Sequence, residues 1–421
     1  MFSQLGLSPS ACASVARLGY KTPTPIQTEA IPLVLTGVDL LARAHTGTGK
    51  TAAFGLPMIE RFVGSGGPAG SRTPRGLVLV PTRELAAQVH QTLSAYAAHT
   101  RLRIAVVFGG VSMSAQVQAL RHGADIVVAT PGRLIDHLQR KTVDLSRVDL
   151  LVLDEGDRML DMGFVPAIRR VVAGLRRDRQ TLLFSATLSE AVVRLSAEFT
   201  RDARRVDVSP HQAIVATVTH QVHHVTTERK REVLTGILME HEKAQALVFC
   251  RTKRGANRVC EGLEQHGLRA GVIHGNKSQN ARSRALDDFK AGRVRVLVAT
   301  DIAARGLDIV QLPLVVNFDL PLVAEDYVHR VGRTGRAGHP GRAVSLASAA
   351  DAHLLHEIQR LIGTAIEKVG SPAVAPPHTV VRPAERRSFP PRRRFQGQQT
   401  GASRRSSGPR RAVKSGRSSA P

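Results

Sequence analysis

Short apolar runs without polar interruption recur along the chain: GLVLVPT (76–82), RIAVVFGG (103–110), DIVVATPG (125–132), LLVLDEG (150–156) and TLLFSAT (181–187). Each is separated from the next by an amphipathic stretch of helical period. Runs of this kind suit strands buried on both faces. Their alternation with helices predicts a parallel sheet wrapped by helices. After a polar stretch near Pro210 to Thr219 the pattern restarts with ALVFCRT (246–252), AGVIHGN (270–276), VLVATDI (296–302), LVVNFDL (314–320) and AVSLAS (343–348). Two α/β domains in tandem are expected, over 1–209 and 220–370, with 210–219 as the linker. The halves echo each other in IVVAT, ending at Thr130, and VLVAT, ending at Thr300.

The ends of the chain read differently. Ser8, Pro9 and Gly19 predict a helix with a polar cap, a proline in its first turn and a glycine stop. KTPTPIQ then follows as a proline-stiffened segment. Beyond Gly370 the chain is Pro, Ser, Gly and Arg, with too little apolar surface to offset the entropy of ordering, so 371–421 is expected to be disordered. That tail holds 12 Lys and Arg against one acidic residue, Glu385, and so carries +11 of a net charge of +25. A field of that sign attracts polyanions and favours nucleic acid over small acidic substrates. Cys12, Cys250 and Cys260 form no C-x-x-C pair, which argues against a disulfide framework or zinc ribbon and fits a reducing cytosol. No apolar run approaches the ~18 residues of a membrane span, so a cytoplasmic protein with no membrane partner is expected.

Two strand ends carry chemistry. AHTGTGKT, Ala44 to Thr51, follows the apolar GVDLLA and precedes a helical stretch. In that setting Gly47 and Gly49 let backbone amides turn toward phosphate oxygens, Lys50 adds a point charge and Thr51 can ligate Mg²⁺. LLVLDEGD ends its apolar run at Asp154, Glu155, Gly156 and Asp157. Carboxylates there either open a helix at the positive end of its dipole or stand at the ligand edge of the sheet. The phosphate loop in the same domain decides for the second: Asp154 as a water-mediated Mg²⁺ partner, Glu155 as the base or orienter of an attacking water.

With these motifs in place the chain resembles the DEAD-box RNA helicases over about residues 1–365. The matching stretches run in family order: GYKTPTPIQ (19–27), AHTGTGKT, PTRELA (81–86), GG (109–110), TPGR (130–133), DEGD (154–157), SAT (185–187), VFCRT (248–252), ATDIAARGLD (299–308) and HRVGRTGR (329–336). The start, FSQLGLSP before GYKTPTPIQ, is most similar to the bacterial RhlE-like subgroup. The resemblance implies two RecA-like domains and an RNA-stimulated ATPase that uses ATP and Mg²⁺ to separate strands or remodel ribonucleoprotein, ribosomal precursors among the possible targets. It implies a nucleotide site of Phe2 and Gln27 at the base, Ala44, His45, Thr46, Gly47, Thr48, Gly49, Lys50 and Thr51 at the phosphates, and Asp308 at the ribose. Arg333 and Arg336 resemble arginine fingers. Arg83, Gly110, Thr130, Arg133, Arg251, Gln279, Arg282 and Thr300 match positions that hold the RNA backbone, and such contacts carry no sequence information. Asp157, Ser185, Thr187 and His329 would couple the two sites. Gly156 departs from the family's alanine. Two rivals stay open: an ATP-gated RNA clamp that turns over too slowly to unwind, and a DNA translocase.

Overall fold

The computed structural model describes residues 1–44, 47–64, 73–208, 218–304, 307, 309, 311–335 and 340–370. Two seven-stranded sheets account for its two halves, and every strand pair in both is parallel. The first contains β1 (Leu40–Arg43), β2 (Gly76–Leu79), β3 (Ile104–Val107), β4 (Ile126–Ala129), β5 (Leu150–Asp154), β6 (Gln180–Ser185) and β7 (Arg204–Asp207) in the order β3-β4-β2-β5-β6-β1-β7. The second contains β8 (Val218–His224), β9 (Ala246–Phe249), β10 (Ala270–Ile273), β11 (Val296–Ala299), β12 (Leu314–Asn317), β13 (Gly341–Ala347) and β14 (Glu367–Lys368) in the order β10-β11-β9-β12-β13-β8-β14. Expected strands and observed strands coincide for every apolar run. The two orders are the same once β3 is matched to β10. The IVVAT and VLVAT echo therefore falls on equivalent strands, β4 and β11.

Burial explains why these strands read as unbroken apolar runs. In the first sheet Val78, Val128, Val152 and Leu182 face one core cluster, while Leu77, Leu79, Val127, Leu151 and Leu183 face another. In the second sheet Val248, Val298 and Val316 lie on one side and Leu247, Leu297 and Val315 on the other. Helices cover both faces, so neither parity of the strand can be polar. Leu150 to Leu153 are all fully buried, each worth roughly 1.5–3 kcal/mol against exposure.

The N-terminal helix is Pro9–Arg17, capped by Ser8, whose hydroxyl accepts from the Ala11 amide and donates to Glu60 Oε2 at 2.8 Å. Gly19 follows with φ +83°. Three strands escaped the sequence reading. β7 buries only Val206, and β14 is two exposed residues. β8, VTHQVHH, has only Val218 and Val222 as apolar residues and buries His220 and His223 as well, with His220 bonded to the Tyr327 hydroxyl at 2.8 Å. Val218 and Thr219, placed in the linker from sequence, are its first two residues. The rest of that linker and the tail from 371 lie outside the described residues.

Strand order places the chemistry. Neighbours β5, β6 and β1 end in the acidic motif, SAT and the phosphate loop. Neighbours β3, β4 and β2 end in GG, TPGR and PTRELA on the same sheet edge. The two groups of motifs are contiguous because β5 adjoins β2.

Candidate functional site: a nucleotide cavity beside a cationic groove

Gly47 and Gly49 have φ of +84° and +92°, a backbone region that only glycine enters freely. They bend the chain between β1 and the helix Lys50–Gly64. A Cβ on Gly49 would overlap the Gln27 amide. That amide is engaged at both ends: Gln27 Nε2 donates to the Gly49 carbonyl at 3.1 Å, and Oε1 accepts from the Thr24 amide at 3.0 Å. Gln27 thus clamps the phosphate loop to the KTPTPIQ segment, and its second N–H and second lone pair remain for a base.

A cavity of about 580 Å³ opens here, bounded by Gln27, Gly49, Lys50, Thr51, Asp154 and Glu155 among others. Lys50 Nζ stands 3.6 Å from Asp154 Oδ1 and is buried with no hydrogen-bond partner among the described residues. A buried ammonium whose hydrogen bonds are unmet is costly even beside a carboxylate, and phosphate oxygens would meet them. Burial pushes the Asp154 carboxyl up to about 6 against the pull of Lys50. Burial also works to raise Glu155 and Asp157. In Glu155 the Arg158 and Lys50 charges outweigh it, in Asp157 the His329 and Lys50 charges, so both sit below the usual carboxylate range. The Thr51 hydroxyl and the Asp154 carboxylate both line the cavity, a hard oxygen set that fits Mg²⁺.

The acidic motif is wired to SAT. Asp157 Oδ2 accepts from the Ala186 and Thr187 amides, each at 3.1 Å, and from the Thr187 hydroxyl at 3.4 Å, while its own amide donates to Ser185 Oγ at 3.3 Å. Gly156 opens the helix Gly156–Asp161. A Cβ there would meet Leu183 Cδ2 at 3.1 Å, so a methyl requires that flexible leucine to yield by a few tenths of an ångström. Helix propensity favours alanine by about 0.8–1 kcal/mol. Gly156→Ala should therefore change kcat/KM for ATP by less than about tenfold, or ~1.4 kcal/mol. A larger loss would show that the site has been rebuilt around glycine.

Beside this cavity a groove of about 360 Å³ is lined from both halves, by Arg83, Thr130, Arg133, Lys277, Arg282 and Ile302 among others. Gly110, with φ +81°, lies so close to the Arg83 guanidinium that any Cβ would overlap it. Arg133 Nη1 donates to the Val111 carbonyl at 3.1 Å. Thr130 is the N-cap residue of the helix Pro131–Gln139, and Thr300 donates its amide to Ile273 across β11 and β10. Arg251 Nη2 reaches the Leu320 carbonyl at 3.3 Å and Asp351 at 3.5 Å. Gln279 and Arg282 both meet Glu84, at 2.9 and 3.0 Å. Glu84, a joint between the halves, went unnoticed in the sequence, because such a contact has no signature in spacing.

Other expected residues fall as follows. Ala44 directly follows β1, its amide bonded to the Ser185 carbonyl at 2.9 Å, and Thr48 lies in the loop. Phe2 is buried in the core with Leu5 and Leu7; the aromatic residues among those lining the cavity are Tyr20 and Tyr96. Arg333 is buried, with Nη1 donating to the Leu307 carbonyl at 2.8 Å, and it shares a small gap with His329 and Arg158. His45, Thr46, Asp308 and Arg336 lie outside the described residues. Arg158, absent from the sequence reading, is the direct partner of Glu155 at 3.0 Å. Burial raises the Cys250 and Cys260 thiols, the latter to about 11.

Comparison with known proteins agrees with this geometry. Residues 24–195 match the DEAD/DEAH box helicase family and 229–338 the helicase conserved C-terminal domain. RNA helicase CrhR of Synechocystis sp. is 43% identical over 367 residues, 87% of this chain and 73% of that protein. ATP-dependent RNA helicase DeaD of Escherichia coli is 41% identical over 372 residues, 88% of this chain but 58% of that protein. The chain thus spans well under two thirds of the Escherichia coli relative's length. Among solved structures, S. cerevisiae Dbp5 bound to RNA and ADP BeF3 superposes with a TM-score of 0.78 at 30% identity, covering 88% of this chain and 95% of that one. Mss116 bound to ssRNA and UDP-BeF gives 0.79 at 25% identity, covering 86% and 78%. With both helicase domains matched in order, and the phosphate loop and acidic motif converging on one cavity, the chain belongs to the DEAD-box family of ATP-dependent RNA helicases.

Proposed function

We propose that the protein is an RNA-stimulated ATPase whose halves, 1–209 and 220–370, close over ATP and RNA, and that closure separates short duplexes or remodels ribonucleoprotein without sequence preference. The observation that carries this reading is the shared sheet edge: Asp154 and Glu155 line the nucleotide cavity, Asp157 beside them is hydrogen-bonded to Ser185 and Thr187, and neighbouring strands of the same sheet bring Arg83, Thr130 and Arg133 to the groove lined from both halves.

In this reading the amides of Gly47 to Thr51 and the Lys50 ammonium hold the β- and γ-phosphates. Thr51 and Asp154 would hold Mg²⁺, which when bound neutralises charge on the phosphate oxygens. The Glu155 carboxylate orients the attacking water and takes its proton. Arg333 adds positive charge from the second half. Arg336 and Asp308 are assigned the second finger and the ribose contact by family likeness alone, and the RhlE-like subgroup and a cytoplasmic location rest on likeness too. Arg83, Arg133, Arg251 and Arg282 grip phosphates, so duplex bases go unread. Displacement of a labelled strand from a short RNA duplex tests the reading. ATP should drive it and ADP should not; ATP-dependent RNA binding with neither displacement nor measurable RNA-stimulated phosphate release would favour the clamp.

The basic tail is proposed as an RNA anchor acting by counterion release. Deleting 371–421 should raise the RNA concentration that gives half-maximal ATPase and flatten its salt dependence, with the rate at saturating RNA nearly unchanged. Equal apparent RNA affinity at low salt would reject the anchor.

A further inference from the structure

We propose that Arg158 is a positioning residue for hydrolysis, fixing the Glu155 carboxylate most firmly when the two halves are in contact. The proposal rests on the reading of Glu155 as the group that activates water. Arg158 is the third residue of the helix Gly156–Asp161, just past the acidic motif. Its Nη1 donates to Glu155 Oε2 at 3.0 Å, and each of the two side chains is only 3% exposed. Glu155 itself has φ +58° and ψ +52° and, although it occupies the N-cap position, makes no capping bond with its side chain. Instead of capping the helix, that side chain is met by Arg158, which reaches back to it from three residues on.

The surroundings of Arg158 make the contact conditional. Arg158 lines a gap of about 10 Å³, barely room for one water, whose other lining residues all belong to the second half, among them Phe249, Asp301, Asp326, His329, Arg330 and Arg333. Asp301 is already held by Arg330 through two bonds, at 2.6 and 2.7 Å, so it does not compete for Arg158. With the second half in place, water is kept from the Arg158–Glu155 pair, where a charge pair is strong. With that half withdrawn the pair faces solvent, where such pairs hold geometry weakly. Arg333 lines the same gap, so its arrival and the orientation of Glu155 become one event.

The test is steady-state and single-turnover ATP hydrolysis at saturating RNA by full-length Arg158→Met, Arg158→Lys, Glu155→Gln and the Arg158→Met/Glu155→Gln double variant. Arg158→Met should lower kcat by about 10- to 100-fold with KM for ATP within about threefold. Arg158→Lys should recover part of the loss. In the Glu155→Gln background the Arg158→Met change should cost nothing more, since the group it positions is gone. An equal further loss in that background, or a rise in KM in step with the fall in kcat, would overturn the proposal. So would wild-type turnover by Arg158→Met beside an inactive Glu155→Gln, which spares the reading of Glu155. Wild-type turnover by Glu155→Gln would remove that reading, and this proposal with it.

Discussion

Lys50→Ala should give a folded protein that no longer turns over ATP. Two losses combine at one site. The phosphates lose the buried ammonium that has no hydrogen-bond partner among the described residues, and removing one preorganised charge of this kind typically costs about 10²–10³ in rate. Asp154 also loses the cation 3.6 Å away. Its carboxyl, already raised to about 6 by burial, then rises further, so more of it is neutral at pH 7 and it becomes a poorer metal ligand. The fold should tolerate the change, because the Asp154 carboxyl left without its cation can be neutralised by taking a proton rather than staying as a buried, uncompensated charge. Phosphate release at saturating RNA, with thermal melting alongside, measures both. Near wild-type turnover would sink the assignment of the cavity.

Glu155→Gln should fail differently. The amide keeps the shape of the carboxylate and its oxygen can still accept from Arg158, so ATP and RNA binding should persist, while water activation is lost and hydrolysis falls by at least about 10²-fold. The expected consequence is an RNA complex that forms with ATP and dissociates slowly, seen as prolonged retention of a labelled single strand after a chase with unlabelled RNA. A variant that releases RNA as fast as the wild type in ATP would count against Glu155 as the chemical residue.

Much of this architecture was legible in the sequence because both faces of each central strand are covered, which leaves no polar position to blur the runs. β8 escaped because histidines occupy buried positions in it, and His220 is bonded there to Tyr327, a partner 107 residues away. β7 and β14 escaped because they bury one residue and none, too little to leave a pattern. The nucleotide site was legible where local geometry demands particular residues: glycines at positive φ, then Lys50 at the head of a helix. Contacts made by distant segments were not. Glu84 bridging to Gln279 and Arg282, and Arg158 holding Glu155 beneath the second half, depend on how the halves meet. Gln27 was anticipated as a base contact, yet its engagement with the Gly49 carbonyl shows a second task, bracing the phosphate loop.

RNA should govern the chemistry. Phosphate release by the full chain at saturating ATP should be measured without nucleic acid, with single-stranded RNA, and with DNA of the same sequence. If closure over RNA assembles the site, RNA should raise the rate by at least about tenfold, a barrier change of ~1.4 kcal/mol, and DNA should raise it far less. A rate indifferent to RNA, or raised equally by DNA, would contradict the account.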